Sequence, residues 1–565
     1  MLKFLENTWY SAKRLADGYT QDVERETQKY QTLRDLDLFV LDNSIRESTV
    51  GQLRGHTLED KWKVFDEVRR CGFTNVIVAS FSHMTRVDDV FVKQLVEKGE
   101  DRNGLYAFSE ITKGAKNRIP NTEKIPVGLQ KMQETGLWNA ILEVDLSDGV
   151  YDFSKFTMDD LCALVKKWIM WVYDNLHRDA KVLINLRDMS DVMPVKPVRA
   201  FQLVKFLAEM PEDVRPFGLI FEEATGLSVP EECGNWAKYI RKIMDMNEWK
   251  GKLLVHIHEK YGYADSSQLE SLMCGADGTW GSICIEGAAM GNASTCVTMM
   301  NLIRLGNKKI LKSYNCSYLR KAAINVTRIT TDRDPHLKQP VYGERALDFV
   351  LGLNKEDFDL ADFFGEKAPK RITSLASNEM IRLQLIELYG DDPQFTLDQA
   401  HKMKEVMLED LRNNRKEEYM SEVGLALLFD RAGGKVTEKM RDVIEKMKLN
   451  NVHAERMLSE VREIWDTWDL KDEVQGDEML QYDSFYNGFM APYFACYRCS
   501  DTRQALQAID MDADGQVDWS EFLVYLKWAL HEYPNIKDTQ ELLDIAFRKG
   551  LIPAMRDELL KDKSC

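Results

Sequence analysis

Between Asp37 and Ile285 the chain alternates eight times between a short apolar run and a longer stretch of helical periodicity. No other feature limits the possible folds as strongly. The runs are 37–42 (DLFVLD), 74–81 (TNVIVASF), 105–109 (LYAFS), 138–146 (WNAILEVDL), 180–186 (AKVLINL), 217–222 (FGLIFE), 252–257 (KLLVHI) and 279–285 (TWGSICI). Continuous apolar runs of this length read as parallel strands covered on both faces. The stretches between them, such as LEDKWKVFDEVRRCG, repeat their apolar residues at the helical period. Eight strand-then-helix units predict an α/β fold, a (β/α)8 TIM barrel. An open doubly wound sheet satisfies the same alternation.

The flanks read differently. Residues 1–34 form an N-terminal amphipathic helix, 35–309 the barrel, 310–417 a helical subdomain without strand alternation, and 418–565 short helices divided by acidic loops. The net charge of the 565 residues is -17. Residues 451–565 contribute -11 of it, from 23 acidic and 12 basic side chains. Such a balance argues against nucleic acid and anionic membrane surfaces as partners and suits cations. The 10 cysteines are scattered, which reads as reduced thiols. There is no run of 18 apolar residues and no apolar core to the N-terminal helix, so a cytoplasmic protein without membrane spans is expected.

The sharpest local pattern is Asp510-Met-Asp512-Ala-Asp514-Gly515-Gln516-Val517-Asp518-Trp-Ser-Glu521. It fits the twelve-residue EF-hand calcium loop. Carboxylates at positions 1, 3 and 5 converge on one cation, glycine at 6 makes the turn, and Gln516 offers its carbonyl. Asp518 acts at position 9 and Glu521 closes the site with both oxygens. RQALQAI and FLVYLKWAL read as the flanking helices. Residues 457–490 resemble a second hand with an overlong loop, 429–437 one with few ligands, and ELLDIAFRKGLIPAMRDELL a fourth helix-loop-helix without carboxylates. The region is thus expected to be an all-α, calmodulin-like EF-hand domain with one intact loop. Cys496 and Cys499 read as ordinary helix residues.

A second constellation belongs to the barrel. His256 and His258 close the seventh run, and residues i and i+2 of a strand face the same way. Arg46-Glu47 follows the first run and Asn292 the eighth. Strands one, seven and eight are neighbours in a closed barrel, and their C-terminal ends form the catalytic rim. Glu47, His256, His258 and Asn292 then make an O,N,N,O set for a divalent metal, Zn2+, Mn2+ or Mg2+. A polar pocket filled by ion-paired side chains is the competing explanation.

Here the sequence resembles the DRE-TIM metallolyases, which include the HMGL-like enzymes. LDNSIRESTVGQ is similar to the first-strand motif, HIHEKYGYADSSQLESLMCGAD to the H-x-H segment, and GSICIEGAAMGNAS to the G-x-G-E-R-A-G-N-A stretch. IFEEATGLSVP resembles the sixth-strand D-T-x-G-x-x-x-P. QPVYGERALDF and SLASNEMIRLQLIELYG…FTLDQAHKMKEVM resemble the isopropylmalate and homocitrate synthase branch, so the likeness covers roughly 35–415. It implies acetyl-CoA or another acyl-CoA and a 2-oxo acid as substrates. By the same resemblance Arg46 stabilises the oxyanion, His256 and His258 bind metal, and Asn292 lies at or beside it. It also implies a homodimer formed by post-barrel helices, whose apolar stripe here is Ile381, Leu385, Leu388, Met403, Met407 and Leu411.

The sequence departs from the family at five places on one rim. Glu47 stands for an Asp, a residue near Val78 for a strand-two Glu, and Ala224 for a carboxylate-binding Thr. Glu259-Lys260 replaces Asn-Asp, and Leu347-Asp348-Phe349 lacks the expected His. Two readings follow. One is a calcium-regulated enzyme that makes or breaks a C–C bond. The other is a catalytically inactive, synthase-derived scaffold that binds calcium or partners.

Overall fold

The computed structural model describes residues 2–46, 56–81, 86–111, 115–116, 118–286, 291–331, 333–348, 358–368, 372–413, 419, 422–472, 478–494, 497, 500–511, 513–533 and 536–551. Glu47, Asp512, Cys496 and Cys499 lie outside them. The chain divides into two compact units. The first is 1–347 with 355–368, and the second is 348–354 with 369–565.

In the first unit, eight parallel strands close into a barrel. They are β1 (Phe39–Asp42), β2 (Asn75–Ser80), β3 (Leu105–Glu110), β4 (Asn139–Val144), β5 (Leu183–Leu186), β6 (Gly218–Glu223), β7 (Lys252–Ile257) and β8 (Gly278–Gly281). Each pairs with its neighbours in sequence, and β1 pairs with β8 from Phe39↔Gly278 to Asp42↔Gly281. All eight expected strands are present, and the closed order excludes the open sheet. The lumen is packed with side chains that alternate inward, among them Leu41, Ile77, Tyr106, Phe108, Ile141 and Trp280. Outward residues such as Val40, Val76 and Val78 join the larger core beneath the helices.

The helices start where the sequence supplies caps. Thr57 and Asp60 cap α2 (Leu58–Arg70) reciprocally, and Thr157 and Asp160 do the same for α5 (Met158–Asn175). Between these lie α3 (Val87–Glu97) and α4 (Val127–Thr135), and the long α1 (Leu2–Asp35) precedes the barrel. Proline occupies the first turn of both α6 (Pro197–Ala208) and α7 (Pro230–Met246), where its missing N–H costs nothing. The shell continues with α8 (Ala264–Met273), α9 (Thr295–Arg304) and α10 (Leu319–Thr331).

The second unit contains two cores. The first is built by α11 (Asn378–Tyr389), α12 (Leu397–Arg412), α13 (Glu422–Arg431) and the start of α14 (Glu438–Asp469). The α11–α12 and α13–α14 loops face each other. Lys435 N donates to Gln394 Oε1 at 2.9 Å, and Gln394 Nε2 to the Lys435 carbonyl at 3.3 Å. The segment 374–407, which resembles the helical subdomain of the synthase branch, packs with α13 and the start of α14. Of the stripe expected to form a dimer, Ile381, Leu385, Met403 and Met407 are buried in this core, Leu388 is partly buried against it, and Leu411 is exposed.

The second core gathers the end of α14 with α15 (Ser500–Ile509), α16 (Trp519–Glu532) and α17 (Thr539–Ile545) around Trp465, Phe485, Phe489, Phe522 and Phe547. A short antiparallel ribbon, β9 (Met479–Gln481) and β10 (Gln516–Asp518), pairs Leu480 with Val517. Among the described residues, no helix is long and apolar enough to cross a membrane.

Candidate functional site

The C-terminal ends of the barrel strands gather polar side chains that a packed lumen excludes. Glu222 on β6 and His256 on β7 are register partners, and both are buried. His258 follows β7 and its Nε2 lies 3.3 Å from Glu222 Oε1. The two imidazole rings are 4.7 Å apart. One donor atom from each of Glu222, His256 and His258 lies within 4.8 Å of the other two. The second oxygen of Glu222 accepts from Asn185 Nδ2 at 2.8 Å.

His256 is oriented from behind. Its ring stacks on Trp280 at 3.9 Å, and its Nδ1 lies 2.9 Å from the Trp280 carbonyl. A carbonyl only accepts, so Nδ1 carries a proton, and Nε2 is the ring nitrogen left to serve the mouth. Asn292 is the residue opposite His258 in an isolated bridge. Its amide is buried, and neither its oxygen nor its nitrogen has a hydrogen-bond partner. Two imidazoles, a carboxylate and an orphaned amide are a donor set that fits a divalent cation.

Two arginines share the mouth. The Arg46 guanidinium lies 4.8 Å from the Phe108 ring centre and 5.6 Å from that of Trp280. Its backbone is pinned by a residue that sequence reading passed over. Lys61 Nζ, fully buried on α2, donates to the Ile45 carbonyl at 3.0 Å and pairs with buried Asp88 at 2.8 Å. Arg187, after β5, pairs with Glu143 and, at 2.8 Å, with Asp145.

The carboxylates differ in their preferred charge. Burial raises the Glu143 carboxyl to about 8 despite Arg187, with Glu222 and Asp145 adding to the rise. Burial likewise lifts Asp145 to about 6. Burial opposes ionisation of Glu222 too, but His258, His256 and the Asn185 amide outweigh it and hold the carboxyl at about 2.

The structure thus brings His256, His258, Asn292 and Arg46 to one rim, as the sequence spacing required. Glu222 is the member that spacing did not identify. It precedes the Glu223 that matches the sixth-strand motif, and only the inward alternation of β6 distinguishes the two. Glu223 is instead spent on its own turn, accepting from Ser190 Oγ at 2.8 Å, Gly226 N at 2.7 Å and Thr225. Gly226 adopts φ 65°, a conformation that favours glycine. At the end of β2, Val78 faces the helix layer and Ile77 the lumen, so neither supplies a carboxylate.

In the second unit the loop from Asp510 to Glu521 turns back on itself. Asp510 accepts from Tyr482 Oη at 2.6 Å, Gly515 N at 3.0 Å and Asp514 N at 3.2 Å. Glu521 accepts from Met511 N at 2.6 Å and Asp518 N at 2.9 Å. Asp514 accepts from Gln516 N at 2.8 Å, and Asp518 caps α16 through Glu521 N. Burial would raise Asp510, but the donors from Tyr482, Gly515, Asp514 and Ala513 hold it below the usual carboxylate range.

No family model matches the chain, and no curated protein matches it significantly. Among solved structures it is similar to hydroxymethylglutaryl-CoA lyase from Pseudomonas aeruginosa, at 14% identity over 53% of this chain and 94% of that one, TM-score 0.38. The HMG-CoA lyase from Brucella melitensis gives 14% identity over 52% and 99%, TM-score 0.39. The carboxyl transferase domain of Rhizobium etli pyruvate carboxylase gives 11% over 74% and 63%, TM-score 0.38. The barrel assignment rests on the strand pairing itself.

Proposed function

We propose that the barrel mouth holds one divalent metal ion on Glu222, His256 and His258, with Asn292 as a further ligand and Glu47 as the sequence's additional candidate. The observation that carries this reading is the cluster of three donors within 4.8 Å, one of them oriented by the Trp280 carbonyl. Such an ion polarises a carbonyl as a Lewis acid. The reaction class is the making or breaking of a C–C bond between an acyl-CoA and an oxo acid. Arg46 faces the mouth as the hydrogen-bond donor for a developing oxyanion. Glu143, which burial raises to about 8 beside Arg187, is the proton carrier. The loop from Asp510 to Glu521 is the calcium site of an EF-hand, with Asp510, Asp512, Asp514, Gln516, Asp518 and Glu521 as ligands. Its support is the diagnostic spacing and the ribbon that pairs Val517 with Leu480.

A second reading, an inactive scaffold that retains its metal, draws on the apolar end of β2 and on Ala224. Elemental analysis of the purified protein, with and without EGTA, tests the metal and calcium sites together. About one EGTA-resistant transition metal per chain supports the barrel site. Release of free thiol from acyl-CoA with a panel of 2-oxo acids, abolished by Arg46→Ala, separates the enzyme from the scaffold. A loaded barrel that releases no thiol with any acid supports the scaffold.

A further inference from the structure

The segment 336–347 folds back on itself beside the exit of β8. Its turns are closed by Gln339 N to the His336 carbonyl at 2.8 Å, Gly343 N to the Gln339 carbonyl at 2.9 Å and Arg345 N to the Leu337 carbonyl at 2.8 Å. At its centre Val341 holds φ 66°, a left-handed conformation costly for a β-branched residue. Such a conformation persists only when its surroundings impose it. Buried Arg320 of α10 does so, donating to the Val341 carbonyl and, at 3.1 Å, to the Gly343 carbonyl, while its Nε is anchored on Glu366 at 3.0 Å. Between the two clamped carbonyls stands Tyr342, whose side chain is 1% exposed.

The Tyr342 hydroxyl accepts from Ile285 N at 2.8 Å. The Ile285 carbonyl accepts in turn from Asn292 N at 3.1 Å. Asn292 is then held against β7 by Ala293 N to the Ile257 carbonyl at 3.0 Å and Glu259 N to the Gly291 carbonyl at 2.9 Å. We infer that Tyr342 is a positioning residue of the barrel site, setting the Ile285 backbone that holds the Asn292 amide at the metal rim. The inference rests on the metal reading above and deepens it. A strained, clamped strap whose buried tip ends on the backbone bond behind a proposed ligand does more than cover a surface. Outer partners of ligands typically tune metal affinity by about tenfold or more.

The test is a double-mutant cycle on zinc affinity, measured in the full chain by competition with a chromophoric chelator. Tyr342→Phe removes only the hydroxyl and should weaken zinc about tenfold. Asn292→Ala should weaken it at least as much, and Tyr342→Phe should add nothing in that background. The Co2+-loaded Tyr342→Phe protein should also show a shifted visible absorption band. Unchanged affinity in Tyr342→Phe, or effects that simply add, would overturn the positioning role while leaving the metal site standing. A parent chain that binds no zinc overturns both. Should Tyr342→Phe not fold, hydrogen exchange on the parent decides. Zinc should slow exchange at 339–343 as well as at 291–293, and protection confined to 291–293 rejects the strap.

Discussion

The barrel rim and the loop from Asp510 to Glu521 both concentrate carboxylates, yet they are built in opposite ways. The loop's side chains come from twelve consecutive residues, and backbone N–H groups supply most of the compensation. Asp510 is drawn toward its charged form by donors from Tyr482, Gly515 and Asp514. The rim draws Glu143, Glu222, His256 and Asn292 from four separate strands or their exits. Burial there pushes Glu143 toward neutrality even beside Arg187, whereas the two imidazoles and the Asn185 amide keep Glu222 ionised. A contiguous loop makes its own environment, whereas a barrel rim inherits one from the lumen below it.

The contrast can be broken at several points. The largest effect is expected in the loop. Asp510→Ala with Glu521→Ala removes two of the proposed ligands and should lower calcium affinity about a thousandfold by isothermal titration. Equal affinity in parent and variant would remove the loop from the comparison. At the rim, His258→Ala should lower zinc affinity about a hundredfold, because three or four ligands leave little redundancy. Equal metal content by elemental analysis would make the histidines structural.

The pH dependence should also separate the two environments. Burial raises Asp42, below the rim on β1, to about 7, although Ser44 donates to both of its oxygens. A carboxyl whose folded pKa is raised favours the protonated form. Its contribution to stability is full below about pH 4 and falls by about 1.4 kcal/mol per pH unit up to about 7. Asp42→Asn should remove that slope in urea unfolding of the first unit. Asp510, held low, contributes in the opposite sense. Its stabilisation is present above the unfolded carboxyl pKa and is lost as pH falls through the lower folded value. Parallel slopes for the two units would contradict the assigned environments.

The smallest effect concerns Tyr482, which reaches from the end of β9 to Asp510. Its hydroxyl competes with a cation for that oxygen, so Tyr482→Phe should tighten calcium binding by about 2- to 10-fold. Weaker binding would mean that the hydroxyl supports the bound loop.

These two constructions also explain what the sequence revealed. The eight strands were readable because buried parallel strands are apolar without interruption, and β7 matches its run residue for residue. His256 and His258 were readable because period-two spacing survives in linear sequence. Glu222 and Lys61 were not, since each is defined by what lies across the barrel rather than along the chain. Glu222 looks identical to its neighbour Glu223 until strand alternation turns one inward. Lys61 looks like a solvated helix lysine until its amine meets the Ile45 carbonyl and Asp88. The helices α11 and α12 show a related limit. An apolar stripe does not state what covers it, and here α13 and α14 cover Ile381, Leu385, Met403 and Met407.

Helix α14 has one more consequence. It spans 32 residues, so it is about 48 Å long. Met440 belongs to the first core of the second unit, while Met457, Val461 and Trp465 belong to the other. One uninterrupted hydrogen-bond ladder is therefore a wall of two separate interiors. Melting either interior frees one end of the same ladder, and fraying then runs toward the other. The second unit should accordingly lose its structure in a single thermal transition despite holding two hydrophobic centres. A helix-breaking proline midway along α14 would split that transition in two.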